Sequence, residues 1–148
     1  MNTLMTIIAL LITIGTSTLQ GQAARQELQQ QVRTRIYMIA SQDTPCGSST
    51  VPIPITVQGP RVLTQSLQVL LSTPDPHHPE YFTALEPHDL TLESVNFIWQ
   101  ETADMRLRGS IDVANACDAA RSRAQIERTA LQFPSVKRVT IYLNGARF

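Results

Sequence analysis

The run from Asp104 to Leu143 leaves this chain few ways to fold. "DMRLRGSIDV" (104–113) alternates apolar Met105, Leu107, Ile111 and Val113 with Arg106, Arg108 and Asp112, the period of a strand buried on one face. "CDAARSRAQIERTALQF" (117–133) switches to helical spacing. Ala119, Ile126, Ala130 and Phe133 can face a core while Arg121, Arg123, Glu127 and Arg128 stay in water. Asp118 suits the N-cap of that helix, and Pro134 ends it. "KRVTIYL" (137–143) returns to alternation, burying Val139, Ile141 and Leu143, and Asn144-Gly145 turns the chain out of the strand. Strand, helix and strand follow one another with almost no connecting chain, so their apolar sides must share one interior.

Upstream segments supply the rest of that interior. "TRIYMIA" (34–40) reads as a half-buried strand, ended by the turn formers of "SQDTPCGSS". "VPIPITV" (51–57) is extended, and Pro52 and Pro54 confine it to a sheet edge because proline donates nothing to a ladder. "GPRVLTQSLQVLLS" (59–72) is a helix with Pro60 in its first turn and Leu63, Leu67, Leu70 and Leu71 on one stripe. An irregular stretch follows, "TPDPHHPEYFTALEPHDL", rich in proline and holding all three histidines. "LESVNFIWQ" (92–100) places Val95, Phe97 and Trp99 on one face, and the short gap after it predicts a hairpin with the strand from Asp104. The order is β-β-α-β-β-α-β. Two helices covering one face of a small sheet of mixed direction make a two-layer α/β sandwich, class α+β.

The chain has 148 residues, which suits one domain. Twelve basic residues balance twelve acidic ones, so no basic excess marks a nucleic-acid partner. The N-terminus stands apart. "LMTIIALLITI" (4–14) is an apolar run of eleven, which rises only about 16 Å as a helix and is too short for a stable span. With Gly21 and Ala23 at the −3 and −1 positions of a cleavage site, residues 1–23 read as a signal peptide. A buried helix or a retained anchor is the alternative, since the segment before the run has no Lys or Arg. Residues 24–34 form a glutamine-rich polar spacer, and residues 35–148 form the domain. The mature protein is expected outside the cytoplasm, secreted or in the cell envelope, with no stable membrane span.

Export gives the two cysteines a meaning. In an oxidising compartment Cys46 and Cys117 are an even pair available for a disulfide. Closing the loop of about 70 residues between them stabilises by roughly 4 kcal/mol on the chain-entropy account. Cys117 has other readings. At a helix N-terminus the free amides and the dipole favour thiolate, which with His77, His78 or His88 as base would make a nucleophile. Asp118 opposes that, no nucleophile motif flanks the residue, and an inert free thiol is a third reading.

These residues resemble a known family, the GerMN domain of sporulation and spore germination. The resemblance is carried by "CDAARSRAQIERTALQFPSVKRVTIYLNG" and, in the same order upstream, by "IYMIA", "CGSSTVPIPITV", the leucine-rich helix, "YFTAL" and "DLTLESV". It spans roughly residues 35–146. It implies an extracytoplasmic α/β module resembling the ring-building motifs of envelope assemblies, with no catalytic residues to carry over and no cofactor. The chain departs from the pattern at Ser48 and Ser49, where an acid is expected, and at Ala114 and Asn115, where glycines are expected.

Beside the resemblance, the residues offer several candidate chemistries. The histidines with the acids of "DPHHPEYF" and "EPHD" could ligate zinc, but Pro74, Pro76, Pro79 and Pro87 exclude the helical spacing such sites favour, so no metal site is expected. Glu86, Asp89, Glu93, Asp104 and Asp112 could pair as glycosidase carboxylates, although turn and surface positions account for each. No phosphate-binding loop, dinucleotide fingerprint or nucleophile elbow is present. Arg121, Arg123, Arg128, Lys137 and Arg138 outnumber Asp118 and Glu127 around the last helix and strand and could meet an anionic wall polymer such as teichoic acid or peptidoglycan. The expectation is a non-enzymatic exported envelope module that binds an envelope component or a protein partner. A peptidoglycan hydrolase using Cys117 or carboxylates, and a structural oligomer former, are the alternatives.

Overall fold

The computed structural model describes residues 30–41, 46–74, 77–87, 89–98 and 101–148. Residues 1–23, expected as a signal peptide, residues 24–29 of the expected spacer, His88 and Trp99 lie outside the described residues. The elements are β1 (Gln31–Ala40), β2 (Thr50–Gln58), α1 (Val62–Ser72), β3 (Tyr81–Phe82), β4 (Thr91–Ile98), β5 (Thr102–Arg108), α2 (Ala116–Leu131), β6 (Arg138–Leu143) and β7 (Ala146–Arg147). This is an α+β fold. Its strands lie in two hydrogen-bonded sheets, ordered β2-β1-β3 and β4-β5-β6-β7, and the two-residue strands β3 and β7 add to the order read from the sequence.

In the first sheet β2 pairs antiparallel with β1 from Gln31↔Gln58 to Ile39↔Thr50 and stands at the edge, where its prolines leave no donor missing. β1 starts at Gln31, ahead of Thr34, because the ladder to β2 continues to Gln58 and Gly59 N–H donates to Gln30 O at 3.0 Å. In the second sheet β5 pairs antiparallel with β4 and parallel with β6, Thr102 opposite Arg138 through Leu107 opposite Leu143. That parallel pairing needs a crossover, and α2 is the crossover. Asn144 (φ 52°) and Gly145 (φ 84°) close the two-residue turn from β6 to β7.

Both helices place their apolar stripes between the sheets. Leu67, Leu70 and Leu71 of α1 meet Ile36 and Met38 of β1, Met105 and Leu107 of β5, and Ile126 and Ala130 of α2 in one buried cluster. A bulge between Leu92 and Ser94 resets the side-chain parity of β4, so Leu92 and Val95 both face this cluster.

Four expectations need correction. α1 begins at Val62 rather than in its Pro60 turn, because Gly59 holds a left-handed φ of 76° and Arg61 is still outside helical geometry. β5 ends at Arg108 because Gly109 has φ 125°; Ile111 still reaches the core, but Val113 is 42% exposed. The α2 N-cap is Asn115, whose Oδ1 accepts from the backbone N–H of Cys117 and Asp118 at 2.9 and 3.1 Å, so Asp118 already lies in the first turn. Phe97 is 58% exposed, near the end of β4, where it lines an open groove with Arg61 and Leu63 and is not packed into the core.

Candidate functional site

The start of α2 gathers the residues that the sequence made most suspect. Cys46, in the loop after β1, is joined by a disulfide to Cys117, with the Cα atoms 4.8 Å apart. Among the described residues no cysteine is free. Beside this bridge lies an open cleft of about 250 Å³ lined by Phe82, Thr83, Glu86, Asp112, Asp118 and Arg121, among others. Each is placed by a local interaction. Asp112 N–H donates to Glu86 O at 2.8 Å, which ties the loop after β5 to the loop before β4. Arg121 donates its Nε–H to Gly47 O at 3.2 Å, pairs with Asp118 at 3.6 Å, and stands over the Phe82 ring at 5.9 Å. The guanidinium therefore braces the cysteine-bearing loop against the helix.

The floor beneath the cleft is polar and fully paired in a way that the apolar stripe alone did not reveal. Ser122, Gln125 and Thr129 are each 0% exposed. Gln125 Oε1 accepts from Ala84 N–H at 2.9 Å, and its Nε2 donates to Thr83 Oγ1 at 3.3 Å and to Met38 sulfur at 3.0 Å. Ser122 Oγ donates to Ala84 O at 2.6 Å. Thr129 Oγ1 accepts from Tyr37 N–H at 3.1 Å. These side chains satisfy backbone groups of β1 and of the segment after β3 that would otherwise be buried without partners. Their signal in the sequence was position: 122, 125 and 129 share the helical face of Ile126 and Ala130.

A second polar clamp holds the neighbouring loop. Asn144 Nδ2 donates to Gly109 O at 2.8 Å while its Oδ1 accepts from Gly109 N–H at 3.1 Å. Asp89 accepts from Ser110 N–H at 2.9 Å and from Ser110 Oγ–H at 2.8 Å. The backbone hydrogen bond from Ser110, followed by that from its hydroxyl, holds the Asp89 carboxyl below its ordinary pKa.

The cleft presents the carboxylates of Glu86, Asp112 and Asp118 beside the Arg121 guanidinium. The sulfur of Cys117 is in a disulfide, and the first free amides of α2 are taken by Asn115, so neither a thiolate nor an open anion-binding helix end is presented. His78 stacks on Tyr81 with ring centroids 4.2 Å apart, and His77 is exposed. Among the described residues no three of His, Cys, Asp and Glu come together in a way that could hold a metal ion. Of the other carboxylates, Glu93 pairs with Arg108 at 2.7 Å and Asp104 is 7% exposed on the central strand.

The five basic residues singled out in the sequence do not share one face. Arg121 lines the cleft, and Arg123 leans over the Phe148 ring at 5.6 Å. Arg128 faces the loop of Gly47, Ser48 and Ser49. Lys137 and Arg138 lie at the opposite end of the molecule, where both backbone N–H groups donate to Glu101 O at 2.7 and 3.1 Å.

With this geometry in place, the comparisons with known proteins agree. The Germane family, described as sporulation and spore germination, matches residues 35–147, and the chain belongs to it. The fold is similar to that of the tandem GerMN domains of the sporulation protein GerM from Bacillus subtilis, with TM-score 0.55 and 18% identity over 80% of this chain. The chain spans 41% of that tandem structure's length. It is likewise similar to the first GerMN domain of the same protein, with TM-score 0.53 and 18% identity over 79% of this chain and 86% of that one. No curated protein matches the sequence.

Proposed function

We propose that this protein is an exported, non-enzymatic module of the cell envelope that serves sporulation or germination by binding an envelope component or a protein partner. The observation that carries the reading is the Cys46–Cys117 disulfide within a Germane domain. Structural disulfides persist in oxidising compartments, and this one occupies the helix terminus where a catalytic thiolate would have to stand. The apolar run at 4–14, with Gly21 and Ala23 after it, supports export. The uncharged N-capped start of α2 and the carboxylates beside it suit recognition better than bond cleavage.

Intact mass of protein recovered from its source, alkylated without reductant, tests both halves. The expected result is loss of residues 1–23 and no label on either cysteine until reduction. Rapid labelling of Cys117 in the native protein would overturn the compartment assigned here. Release of soluble fragments from purified peptidoglycan, abolished by substituting Glu86 or Asp112 with the fold intact, would overturn the non-enzymatic reading.

A further inference from the structure

The overall charge balance conceals a separation of charge along the molecule. One end is formed by the start of β1, the end of β2, the start of α1, the β4–β5 connection, the end of α2 and the start of β6. Among its described residues are Arg33, Arg35, Arg61, Lys137 and Arg138, all exposed, and a single carboxylate, Glu101. The other end, around the disulfide, carries Glu80, Glu86, Asp89, Glu93, Asp112, Asp118 and Glu127 against Arg108, Arg121, Arg123, Arg128 and Arg147, and Arg108 and Arg121 are paired with carboxylates.

The basic end is one continuous surface. Phe133 lines both a groove with Arg33, Arg35 and Pro54 and a groove of about 340 Å³ with Arg61, Leu63, Val95 and Phe97. Lys137 and Arg138 are tied through their backbone to Glu101 in the connection that follows Ile98. At its rim, on the two faces of the β4 end, Phe97 and Ile98 are 58% and 40% exposed, Phe97 in the groove with Arg61. The chain also enters the domain here, with Gln30 hydrogen-bonded to Gly59 beside Pro60 and Arg61.

We propose that this end docks on the surface of a membrane containing anionic lipid, with Arg33, Arg35, Arg61, Lys137 and Arg138 against the headgroups and Phe97 and Ile98 entering the interface. This names the envelope component of the function proposed above and rests on that reading for the compartment alone. Two observations select a membrane over a soluble polyanion. Cations surround exposed apolar side chains, which gain nothing from a hydrated polymer but partition into a lipid interface. An aromatic and an aliphatic tip is suited to the headgroup level.

Trp99 is the only tryptophan of the chain and follows Ile98 directly, so its fluorescence reports on this tip and not on the N-terminal run. The full chain is mixed with vesicles of phosphatidylcholine, with or without about 30% phosphatidylglycerol, brominated on the acyl chains near the headgroup. Quenching of Trp99 is expected only with the anionic lipid, and it should fall as salt is raised. R33Q/R35Q/R61Q should weaken the quenching isotherm about a hundredfold, at roughly a fivefold loss for each cation removed from the surface. F97S/I98S should abolish quenching while the melting temperature is unchanged, and R147Q at the acidic end should change nothing. Vesicle sedimentation without quenching of Trp99, equal quenching on both vesicle types, or an equal loss from R147Q would overturn the proposal. So would binding of soluble poly(glycerol phosphate) at the same salt with a similar affinity, which would assign the surface to a wall polymer. Failure of export would show in the intact mass instead and would leave this result standing.

Discussion

The two ends of the molecule are built on opposite principles. At the end around the start of α2, five separate chain segments are held by four directed contacts: the Cys46–Cys117 bridge, the Arg121 contact to Gly47, the Asn144 clamp on Gly109 and the Asp89 clamp on Ser110. Carboxylates dominate its surface. At the other end hydrogen bonds alone, among them those of Gln132 to Thr34 and Arg35 and of Gln65 to Gln58, join the segments, cations dominate, and Phe97 and Ile98 are left uncovered. A tightly cross-linked end has few ways to change on binding, whereas an end with exposed apolar side chains keeps unsatisfied surface for a partner. The contrast teaches that suspicious residues in a sequence, here a cysteine at a helix start, can mark the part of a domain that is being held still.

The contrast can be broken most directly at the bridge. C46S/C117S, or reduction of the native protein, should cost about 4 kcal/mol by releasing the loop in the unfolded chain, lowering the melting temperature by on the order of 15 °C. Hydrogen exchange should then rise first at residues 46–49 and 116–121, with α1 and the start of β5 unaffected. If protection falls uniformly, the two ends are not independent and the comparison is lost.

The next largest effect is expected at Gly109. A Cβ there would lie 2.6 Å from Asp89 O on a backbone with φ 125°, so Gly109→Ala should destabilise by about 2–3 kcal/mol in urea melts. A neutral result would mean that the Asp89–Ser110 loop yields freely, contrary to its directed bonding.

Asn115→Ala removes the cap of α2 and should cost about 1 kcal/mol by the same measurement. Asn115→Asp should retain most of it, since a carboxylate accepts the same two amides and complements the helix N-terminus.

The smallest effect is a dependence on pH. The Asp89 carboxyl has a lowered pKa in the folded protein, so its contribution is fully present above its unfolded value, near pH 4, and is lost as pH falls further through the folded value. Asp89→Asn should flatten the stability profile in that acid window and leave the profile at neutral pH parallel to wild type. A steeper acid limb in the variant would show that another carboxylate governs this end.

Much of the fold was legible because periodicity is a local property. The leucines of α1, the alternation in β5 and β6, the Asn144-Gly145 turn and the edge position of the proline-bearing β2 all follow from side-chain spacing or backbone restriction within a few residues. The family was readable for the same reason, since its pattern is a sequence of such elements in order. The candidate site was only half legible. Cys46 and Cys117 could be named as an available pair, but the cleft that adjoins them also needs Phe82, Glu86 and Asp112, which come from two other loops.

What the sequence by itself determined is therefore the identity and order of the amphipathic elements, the α+β class and the two sulfur atoms that can be bridged. Tertiary structure decided what those elements meet. Gln125 became a buried hub because Ala84, Thr83 and Met38 are brought to it from distant segments. Phe97 stayed exposed in an open groove that Arg61, Leu63 and Phe133 line without covering it. The balanced charges separated to opposite ends because strand direction and the α2 crossover, not composition, set where each arginine and carboxylate lies. Spacing along a chain fixes which side of an element is apolar, but only packing fixes which sides face each other and which face water.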